Sequence, residues 1–556
     1  MRKSALIALL LSVALAITGC AQLPRSSEIK TGPDLQSGLS SDYLYYSPSG
    51  PNDGDDQTAI INGFINAATG PQNDYQIARQ YLSRDFTSKW NPSDGVLIQE
   101  TRAPLTLTGK STANVVIQAS ASIDAQGRWT PFSSAKAISL NFELIQEDGQ
   151  WRISSAPNLT VLVRPVFDVL FKSYSLYFYD SQNRYLVPDL RWFPSRVSTG
   201  TRLVNALLTG PSDWLSSSVT NSFPAGTKLA LDAVTVENGT AVVDLNAGAT
   251  KANANQRSQM LSQLTATLNQ LPNVFSVKIQ IDHTPQTISL VNAQLPYPTA
   301  YEPMILQADG IRSASSAQLY ARESAAALRI GANEFSYSSD GSYLALRSDA
   351  GVSVLKVNAL SSELTKVDSR AKLLAPEVDN RSAIWTMPTD ANQPLQAHDE
   401  NGKLLFSWTG WITKGDHLAF GISREGSRLA VLLKTNKGSV AYVAAIKRNE
   451  VGVPIGIGTP VPLGVGLKNL ISLTWSGDNS LAAISSAPKS LPLPVSIFVG
   501  GSYSLLSALS DAKQLLAQND SSAIFALSSS GLLYAYRGMS WIVVATGVTA
   551  AHFTGN

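Results

Sequence analysis

A single cysteine, Cys20, constrains this chain more than any other feature of its sequence. One cysteine among 556 residues permits no intramolecular disulfide, no cysteine-based zinc site and no CxxC redox pair. The folded domains must therefore be stabilised by apolar cores of their own. The chain has material for such cores, because 44% of its residues are hydrophobic, and its length predicts about three domains.

The residues that precede Cys20 predict that this cysteine carries lipid. Residues 2–3 are basic and residues 5–17 are almost all apolar or small, which is the layout of a secretory signal. The apolar run is shorter than the roughly 20 residues that span a bilayer. Its end, Ile17-Thr18-Gly19-Cys20, resembles a bacterial lipobox, in which a peptidase cuts before the cysteine. We therefore predict a signal peptide at 1–19 and an N-palmitoyl, S-diacylglycerol cysteine at position 20; a signal anchor and an ordinary buried cysteine are the alternatives.

A flexible tether and a small α+β domain are predicted next. Residues 20–41 are rich in Ser, Pro and Gly and have no apolar period, as in a spacer. Residues 42–156 contain two stretches of helical period, the second from Asn73, and later strand-like runs joined at Asp148-Gly149, which is a hairpin signal. Two helices followed by an antiparallel sheet predict a small α+β domain, for which a cone of the nuclear-transport-factor-2-like kind is one candidate form.

Residues 157–283 predict a second small α+β domain. Asn238-Gly239 joins two strand-like runs, and an apolar helical stripe extends from Met260 to Leu271, so that both a hairpin and a helix are expected. The segments 223–229 (FPAGTKL) and 242–245 (VVDL) resemble, in this order, the GerMN domain, which was first described in sporulation and germination proteins. The resemblance covers the whole of this domain and implies a GerMN-like fold.

After a linker at 284–313, the segment 314–556 is predicted to be an all-β propeller of about five blades. Short strand-like runs alternate there with Ser, Gly and Asp turns. The segment 339–345 (SDGSYLA) recurs as 424–430 (REGSRLA) and, more weakly, as 477–482 (GDNSLA). The spacing of these copies fits blades of about 40 residues. A β-sandwich is the alternative.

The acidic residue in each copy, Asp340, Glu425 or Asp478, has two interpretations. The three carboxylates could line one end of a propeller as paired acids for glycan cleavage, or each could be a turn residue that bonds its own backbone. Recurrence favours the turn, because a catalytic pair is expected at a single place. Tryptophans in the same segment could stack on sugars, but the favoured interpretation is that they fill blade cores; they are Trp385, Trp408, Trp411 and Trp475.

The motifs of nucleophilic catalysis are incomplete in this chain. No serine lies in a GxSxG motif, and the nearest approach, at 500–504, lacks the final glycine. A triad would need one of only four histidines, His283, His398, His417 and His552. We therefore predict no catalytic residue and no enzyme.

Two ligand-binding motifs also fail at a required position. Gly109-Lys110-Ser111 resembles the end of a phosphate loop, but Pro104 occupies the place of the leading glycine. A calcium loop that began at Asp53 would need an acidic residue at its twelfth position, where Phe64 stands. We therefore predict no cofactor-binding residue and no metal ligand.

The net charge argues against nucleic acid as a partner. The chain has 43 Lys and Arg against 41 acidic residues, and the signal segment holds the excess. Binding to nucleic acid depends on Lys and Arg that neutralise phosphates. A neutral body gives no electrostatic basis for such binding.

Taken together, the lipobox, the tether, the α+β domain, the GerMN-like domain and the propeller resemble the actinobacterial LpqB lipoprotein family over essentially the whole chain. The resemblance implies an exported protein that is lipid-anchored on the outer face of the cell membrane. It further implies an accessory protein that binds and modulates the extracytoplasmic domain of the sensor kinase MtrB of the MtrAB two-component system, and so influences envelope maintenance and division. An envelope glycan hydrolase or lyase, and a binding module for cell-wall fragments, are the alternatives.

Overall fold

The computed structural model describes residues 48–553, except 197, 292, 295–301, 360–362, 487–489 and 519–522. The predicted signal peptide, the lipidated Cys20 and the tether to residue 41 lie outside these residues. Within the part of the chain that is described, no helix is both long and apolar enough to cross a membrane.

The first domain opens with three helices. Their bounds are α1 Gln57–Ala67, α2 Gln76–Arg79 and α3 Arg84–Thr87. Asp56 caps α1, because its Oδ1 accepts a hydrogen bond of 2.7 Å from the Ala59 backbone N–H. The helix predicted from Asn73 is instead two short helices. Residues 73–75 all have positive φ, which an α-helix does not permit, and between the two helices Leu82 forms a bridge with Ile153.

A largely antiparallel sheet completes the first domain. Its strands are β1 Gly95–Arg102, β2 Thr106–Leu107, β3 Thr112–Asp124, β4 Trp129–Glu147, β5 Gln150–Ser155 and β6 Thr160–Val163. The order is β5-β4-β3-β1-β6, with β2 on β3 and with β6 parallel to β1. Asp148 and Gly149 form the tight turn between β4 and β5, with φ of 52° and 76°, as the sequence predicted. Strand β6 lies beyond the boundary expected at residue 156.

Among its described residues, the second domain contains two small sheets and three α-helices. Its elements are α4 Arg164–Leu170, β7 Phe171–Asp180, β8 Leu186–Pro194, α5 Thr199–Thr209, β9 Val219–Thr220, β10 Thr235–Glu237, β11 Thr240–Leu245, α6 Ala254–Leu268, β12 Ser276–Ile281 and β13 Thr284–Pro285. The sheets are β8-β7-β9 and β10-β11-β12-β13. Helix α6 connects the parallel strands β11 and β12, and Asn253 with Gln256 forms a capping box at its start.

The third domain is a ring of sheets. Its elements are β14 Met304–Gln307, β15 Gly310–Ser313, α7 Ala321–Ile330, β16 Glu334–Tyr337, β17 Tyr343–Ser348, β18 Gly351–Lys356, β19 Leu364–Asp368, β20 Glu377–Val378, β21 Ile384–Thr386, β22 Leu395–His398, β23 Leu404–Trp408, β24 Asp416–Ile422, β25 Arg428–Thr435, β26 Gly438–Arg448, β27 Pro454–Ile457, β28 Val461–Leu463, β29 Leu470–Gly477, β30 Ser480–Ser485, β31 Leu493–Phe498, β32 Tyr503–Leu505, β33 Ala512–Gln518, β34 Ala523–Ser528, β35 Leu533–Arg537, β36 Ser540–Ala545 and β37 Ala550–His552. Consecutive strands from β16 to β36 form five antiparallel sheets. This is the propeller that the turn repeats predicted.

A sixth sheet joins the two ends of the propeller. Its order is β15-β14-β37, so that the strand at Ala550–His552 pairs with one near residue 304. The segment 284–313, predicted to be a linker, therefore contains two propeller strands. Sequence reasoning missed this sheet because its strands lie about 240 residues apart and carry none of the turn repeats.

The prediction that each domain has a separate core is wrong for the first two domains, which share an apolar cluster. Apolar side chains of β1 and β3, among them Ile98 and Ile123, are buried in one cluster with Phe167 of α4 and Phe171 of β7. Helix α4 thus packs on the back of the first sheet and leads directly into the second domain.

The second domain also contacts the propeller through polar groups. Asp180 Oδ2 lies 2.5 Å from Arg381 Nη2, and Trp192 Nε1 donates to the Gly500 carbonyl at 2.9 Å. The described chain from Ser49 onward accordingly forms one compact unit.

Candidate functional site

Asp340 stabilises the turn in which it lies. Its Oδ1 accepts hydrogen bonds from the Ser338 hydroxyl at 2.6 Å and from the Ser342 backbone N–H at 3.0 Å. Burial acts to raise the pKa of Asp340, but these hydrogen bonds outweigh it and hold the pKa below its ordinary value. The turn interpretation of this residue is confirmed.

Glu425 is a buried member of an ion pair. Its Oε1 lies 2.7 Å from Arg428 Nε and accepts from the Ser423 hydroxyl at 2.5 Å. Burial acts to raise its pKa, and the Arg428 guanidinium overcomes that effect and lowers it. Arg428 in turn stacks on the Trp475 ring, with its Cζ 4.7 Å from the ring centroid.

Asp478 lies in the field of this ion pair. Desolvation raises its pKa, Arg428 acts against the rise, and the neighbouring carboxylate of Glu425 adds to it. The next residue, Asn479, donates from Nδ2 to the Ser175 hydroxyl of the second domain at 2.6 Å. The three recurring acids thus belong to turns and to the contact between domains.

The tryptophans fill the propeller sheets, as predicted. Trp385 is fully buried, and its Nε1 donates to Asp379 at 2.9 Å. Trp475 is 9% exposed and donates to the Gly421 carbonyl. Trp408 and Trp411 are partly buried against the same apolar cluster as Trp385.

The four histidines have unrelated environments. His417 is buried, with its ring nitrogens on the carbonyls of Pro388 and Ile412. His398 is buried at the end of the inner strand β22, where desolvation lowers its pKa. His283 is exposed and pairs with Asp244, with 2.5 Å between Nδ1 and Oδ2. His552 lines the propeller interior, where burial lowers its pKa to about 4 and keeps the ring neutral.

The remaining motif residues also have structural roles. Asp53 lies in the turn that leads to the capped start of α1, and Phe64, at the calcium-loop position, lies in the core of the first domain. The segment 500–504 touches the second domain, since the Ser502 hydroxyl accepts from Arg164 at 2.8 Å. Gly109-Lys110-Ser111 lies in the connection between β2 and β3. No group of three or more His, Cys, Asp or Glu side chains in the described part of the chain could hold a metal ion.

The propeller encloses a cavity of about 440 Å³, which we call the channel. It is bounded by the innermost strand of each sheet, namely β16, β20, β24, β29, β33 and β37. Its volume lies in the range of about 300–1,000 Å³ that is typical of small-ligand sites. By contrast, a cavity in the first domain, beside Phe64 and Phe142, measures only about 10 Å³.

One carboxyl group in the channel, that of Glu377, has no hydrogen-bond or ion-pair partner among the described residues. Part of its side chain faces the channel, and a Cβ atom added to Gly421 would lie 3.9 Å from its Oε1. Burial raises the pKa of Glu377 to about 8, because the surrounding protein removes water and offers no positive charge in return. Glu377 is therefore mostly protonated at neutral pH.

Other charged groups lie around the first residues of the innermost strands. Glu334 Oε1 is 4.0 Å from Arg347 Nη2, and Arg347 also donates to the Leu373 carbonyl at 2.6 Å. Burial raises the pKa of Glu334, although Arg347 and Lys513 act to lower it. We call this end, with the exposed Ile471, the channel mouth.

The mouth lies at the opposite end of the propeller from the second domain. Glu334, Ile471 and Lys513 are first or second residues of their strands. The acidic turns follow the last residues of such strands, and Arg381 and Asn479 in those turns contact the second domain. Among the described residues, the second domain therefore contacts the propeller at the turn end and not at Glu334, Ile471 or Lys513.

Sequence reasoning missed Glu377. The only available signal was a carboxylate between apolar residues, Pro376 and Val378, in a short strand-like segment. No repeat marks it, since the equivalent position on the next innermost strand is Gly421, which pairs one residue before the last ladder pair as Glu377 does.

Comparisons with known proteins match all three domains in order. Family profiles described as "Lipoprotein LpqB, N-terminal domain", "Sporulation and spore germination" and "Lipoprotein LpqB beta-propeller domain" match residues 50–168, 175–287 and 323–552. The chain is 24% identical over 497 residues to a "Lipoprotein LpqB" of Bifidobacterium longum, covering 85% of this chain and 84% of that protein. It is 23% identical to one of Cutibacterium acnes, covering 98% of both. Among solved structures, the first GerMN domain of GerM from Bacillus subtilis covers 22% of this chain and 96% of its own, with 22% identity and a TM-score of 0.19.

Proposed function

The chain belongs to the LpqB lipoprotein family, and on that premise we propose that it is a lipid-anchored accessory protein on the outer face of the cell membrane. It binds the extracytoplasmic domain of an envelope sensor kinase of the MtrB type and modulates its output. Through the kinase it influences envelope maintenance and division.

Support for the anchor comes from the sequence around Cys20. The basic residues 2–3, the short apolar run and the lipobox-like end are the arrangement that a lipoprotein signal peptidase needs. A single acyl chain gives only marginal membrane binding, whereas two or three chains hold a protein stably. The described part of the chain contributes no spanning helix.

Support for action by contact comes from what the conspicuous side chains do. Asp340 and Glu425 are held by their own turns, and Asp180 is held by Arg381 across the interface between domains. The Asp180–Arg381 contact joins the second domain to the turn end of the propeller, whereas the channel mouth at the other end is a rimmed, partly apolar surface. That surface is the single observation on which the assignment of a binding role depends.

The kinase as partner follows from the family resemblance, and membrane confinement makes such contact effective. Two proteins anchored in one membrane meet at high effective concentration, so a modest affinity is sufficient. A partner that prefers one kinase conformation shifts the kinase equilibrium by its difference in affinity for the two states.

The test is reconstitution of the full-length kinase and the full lipidated chain in one vesicle. We expect co-purification and a change in kinase autophosphorylation with the wild-type chain. Neutralising the acids of the turns tests the alternative that the protein is a glycan hydrolase. If it acts by contact, folded Asp340→Asn and Asp478→Asn variants should change kinase autophosphorylation as the wild-type chain does. If the wild-type chain leaves kinase autophosphorylation unchanged, and the two variants lose a glycan turnover that the wild-type chain shows, the hydrolase would be supported instead.

A further inference from the structure

We propose that the propeller channel is a binding site for a primary ammonium group carried on an apolar stem, with Glu377 as its counter-charge. In the setting of the proposed function the ligand is a lysine side chain presented by the protein partner. The source of the lysine rests on the proposed function, whereas the ammonium site itself does not.

The carboxyl of Glu377 has no ion-pair partner among the described residues. A carboxylate buried without a partner is costly, and it either stays protonated or awaits a cation. Two other buried carboxylates of the propeller are paired with arginine, Asp379 with Arg448 at 2.7 Å and Glu425 with Arg428. Glu377 instead faces the channel, a cavity of about 440 Å³. This arrangement leaves room for a cation that comes from outside the chain.

The walls of the channel offer apolar surface to a ligand. The walls of the channel mix polar and charged side chains with aromatic and aliphatic ones, and the apolar ones include Phe335, Tyr337, Phe420, Leu473, Trp475 and Phe553. Such walls suit a ligand with an apolar stem, and aromatic rings also attract cations. A strongly hydrated, compact ion such as Mg²⁺ would need several oxygen ligands, and Glu377 is a single carboxylate.

Glu377 lies deeper in the channel than the charged groups of the mouth. The last ladder pair before the turn is Tyr337 with Leu344 on β16 and Val378 with Ile384 on β20, so Glu377 corresponds to Ser336. It therefore lies two positions further along its strand than the level of Glu334 at the mouth, or about 7 Å deeper. The four-carbon stem of lysine is suited to this distance, because it places the charge at the far end of an apolar chain.

Other charged groups of the channel do not neutralise Glu377. Arg347 is engaged by Glu334 and by a backbone carbonyl, Arg424 has contacts of its own and lies in the field of Asp478 and Glu425, and Lys513 is exposed at the mouth. Tyr337 and His552 are uncharged at neutral pH, since burial raises the pKa of the phenol and lowers that of the imidazole.

The experiment uses n-pentylammonium as probe and n-pentanol as its neutral counterpart, with the full chain in detergent. Isothermal titration calorimetry in two buffers of different ionisation enthalpy measures affinity and proton release together. Since a group with a pKa of about 8 is about 90% protonated at pH 7, binding should release about 0.9 proton. The affinity should rise about tenfold per pH unit below pH 8 and level off above it.

Variants identify the group responsible. Glu377→Gln should weaken pentylammonium binding roughly 10- to 100-fold, as expected for loss of a charged hydrogen bond, and should abolish the proton release. Glu363→Gln, the same change at an exposed position, should alter neither the affinity nor the proton release. Glu334→Gln shows how much of either effect comes from the carboxyl at the mouth. Pentanol, which has no charge, should bind the wild-type chain and Glu377→Gln with equal affinity.

Several outcomes would overturn the proposal. They are pentylammonium binding that is independent of pH and releases no proton in the wild-type chain, equal affinity for wild type and Glu377→Gln, or no saturable binding. The wild-type pH series needs no variant to fold. If pentylammonium binds as expected but a lysine-bearing kinase peptide does not, while a free diamino acid of cell-wall peptides does, the site stands and the proposed partner fails.

Discussion

Replacing Glu377 by glutamine should stabilise this protein, and increasingly so as the pH rises. The pKa of Glu377 is raised from its ordinary 4.5 to about 8 in the folded chain. A carboxyl whose folded pKa exceeds its unfolded value binds its proton more tightly in the folded state. The stability that depends on protonated Glu377 is therefore fully present below pH 4.5 and is lost as the pH rises toward 8. Glutamine has nearly the same shape and carries no proton to lose.

The magnitude follows from the two pKa values. Linkage gives a cost to the wild-type chain of about 0.8 kcal/mol at pH 5 and about 4 kcal/mol at pH 8. The advantage of the variant should thus grow by about 3 kcal/mol over this interval. The propeller, which contains Glu377, has about 250 residues, and a domain of this size shifts its unfolding temperature by about 2 °C per kcal/mol. The difference in unfolding temperature between variant and wild type should thus grow by about 6–7 °C.

Differential scanning calorimetry of wild type and variant at pH 5, 6, 7 and 8 measures this difference directly. Glu334, whose pKa is also raised by burial, contributes equally to both proteins and cancels. Glu363→Gln is the matched control, and its unfolding temperature should follow that of wild type at every pH. A variant that is no more stable than wild type at pH 8, or whose advantage is the same at pH 5 and pH 8, would refute the reasoning.

Three further predictions concern the anchor, the interface between domains and the turns. Cys20→Ser should move the protein from the membrane fraction to the soluble fraction or leave an uncleaved precursor, as judged by fractionation and mass spectrometry; an unmodified thiol in the wild-type protein would contradict the anchor. Arg381→Ala leaves Asp180 buried and unpaired, and should cost about 3–5 kcal/mol and admit protease between the second domain and the propeller; an unchanged digestion pattern would mean that this ion pair does not join the domains. Glu425→Gln should destabilise the propeller by a similar amount because it strands Arg428, whereas Asp340→Asn, at an accessible turn, should cost about 1 kcal/mol or less; equal costs in thermal unfolding would contradict the difference in burial.

The parts of the fold that local chemistry dictates were predictable. Asn238 and Gly239 have φ of 47° and 77°, a combination that few residue pairs adopt, so that the sequence itself indicates the hairpin. The acidic turns were equally legible, because a carboxylate that bonds its own backbone recurs wherever that turn recurs.

The parts that depend on distant pairing were not predictable. Strand β37 acquires its partner only when the ring closes, and nothing in the sequence near Ala550 names Met304. The left-handed residues 73–75 delay the start of the helix predicted there, and the bridge between Leu82 and Ile153 divides it, since helical period reports burial and not backbone angle. Glu377 could not be recognised for a related reason: its importance is the absence of a partner, which only the assembled ring of strands reveals.

The two ends of the propeller have different uses, and this difference links the site to the proposed function. At the turn end, Arg381 bonds Asp180, and Asn479 bonds Ser175. These polar groups therefore bind the second domain. Helix α4 of that domain packs in turn on the first sheet. At the mouth, Ile471 is 42% exposed and Lys513 is exposed without any hydrogen bond in the described chain. A partner that approaches the propeller along its axis must therefore meet the mouth, and the unpaired Glu377 is what a lysine inserted there would find.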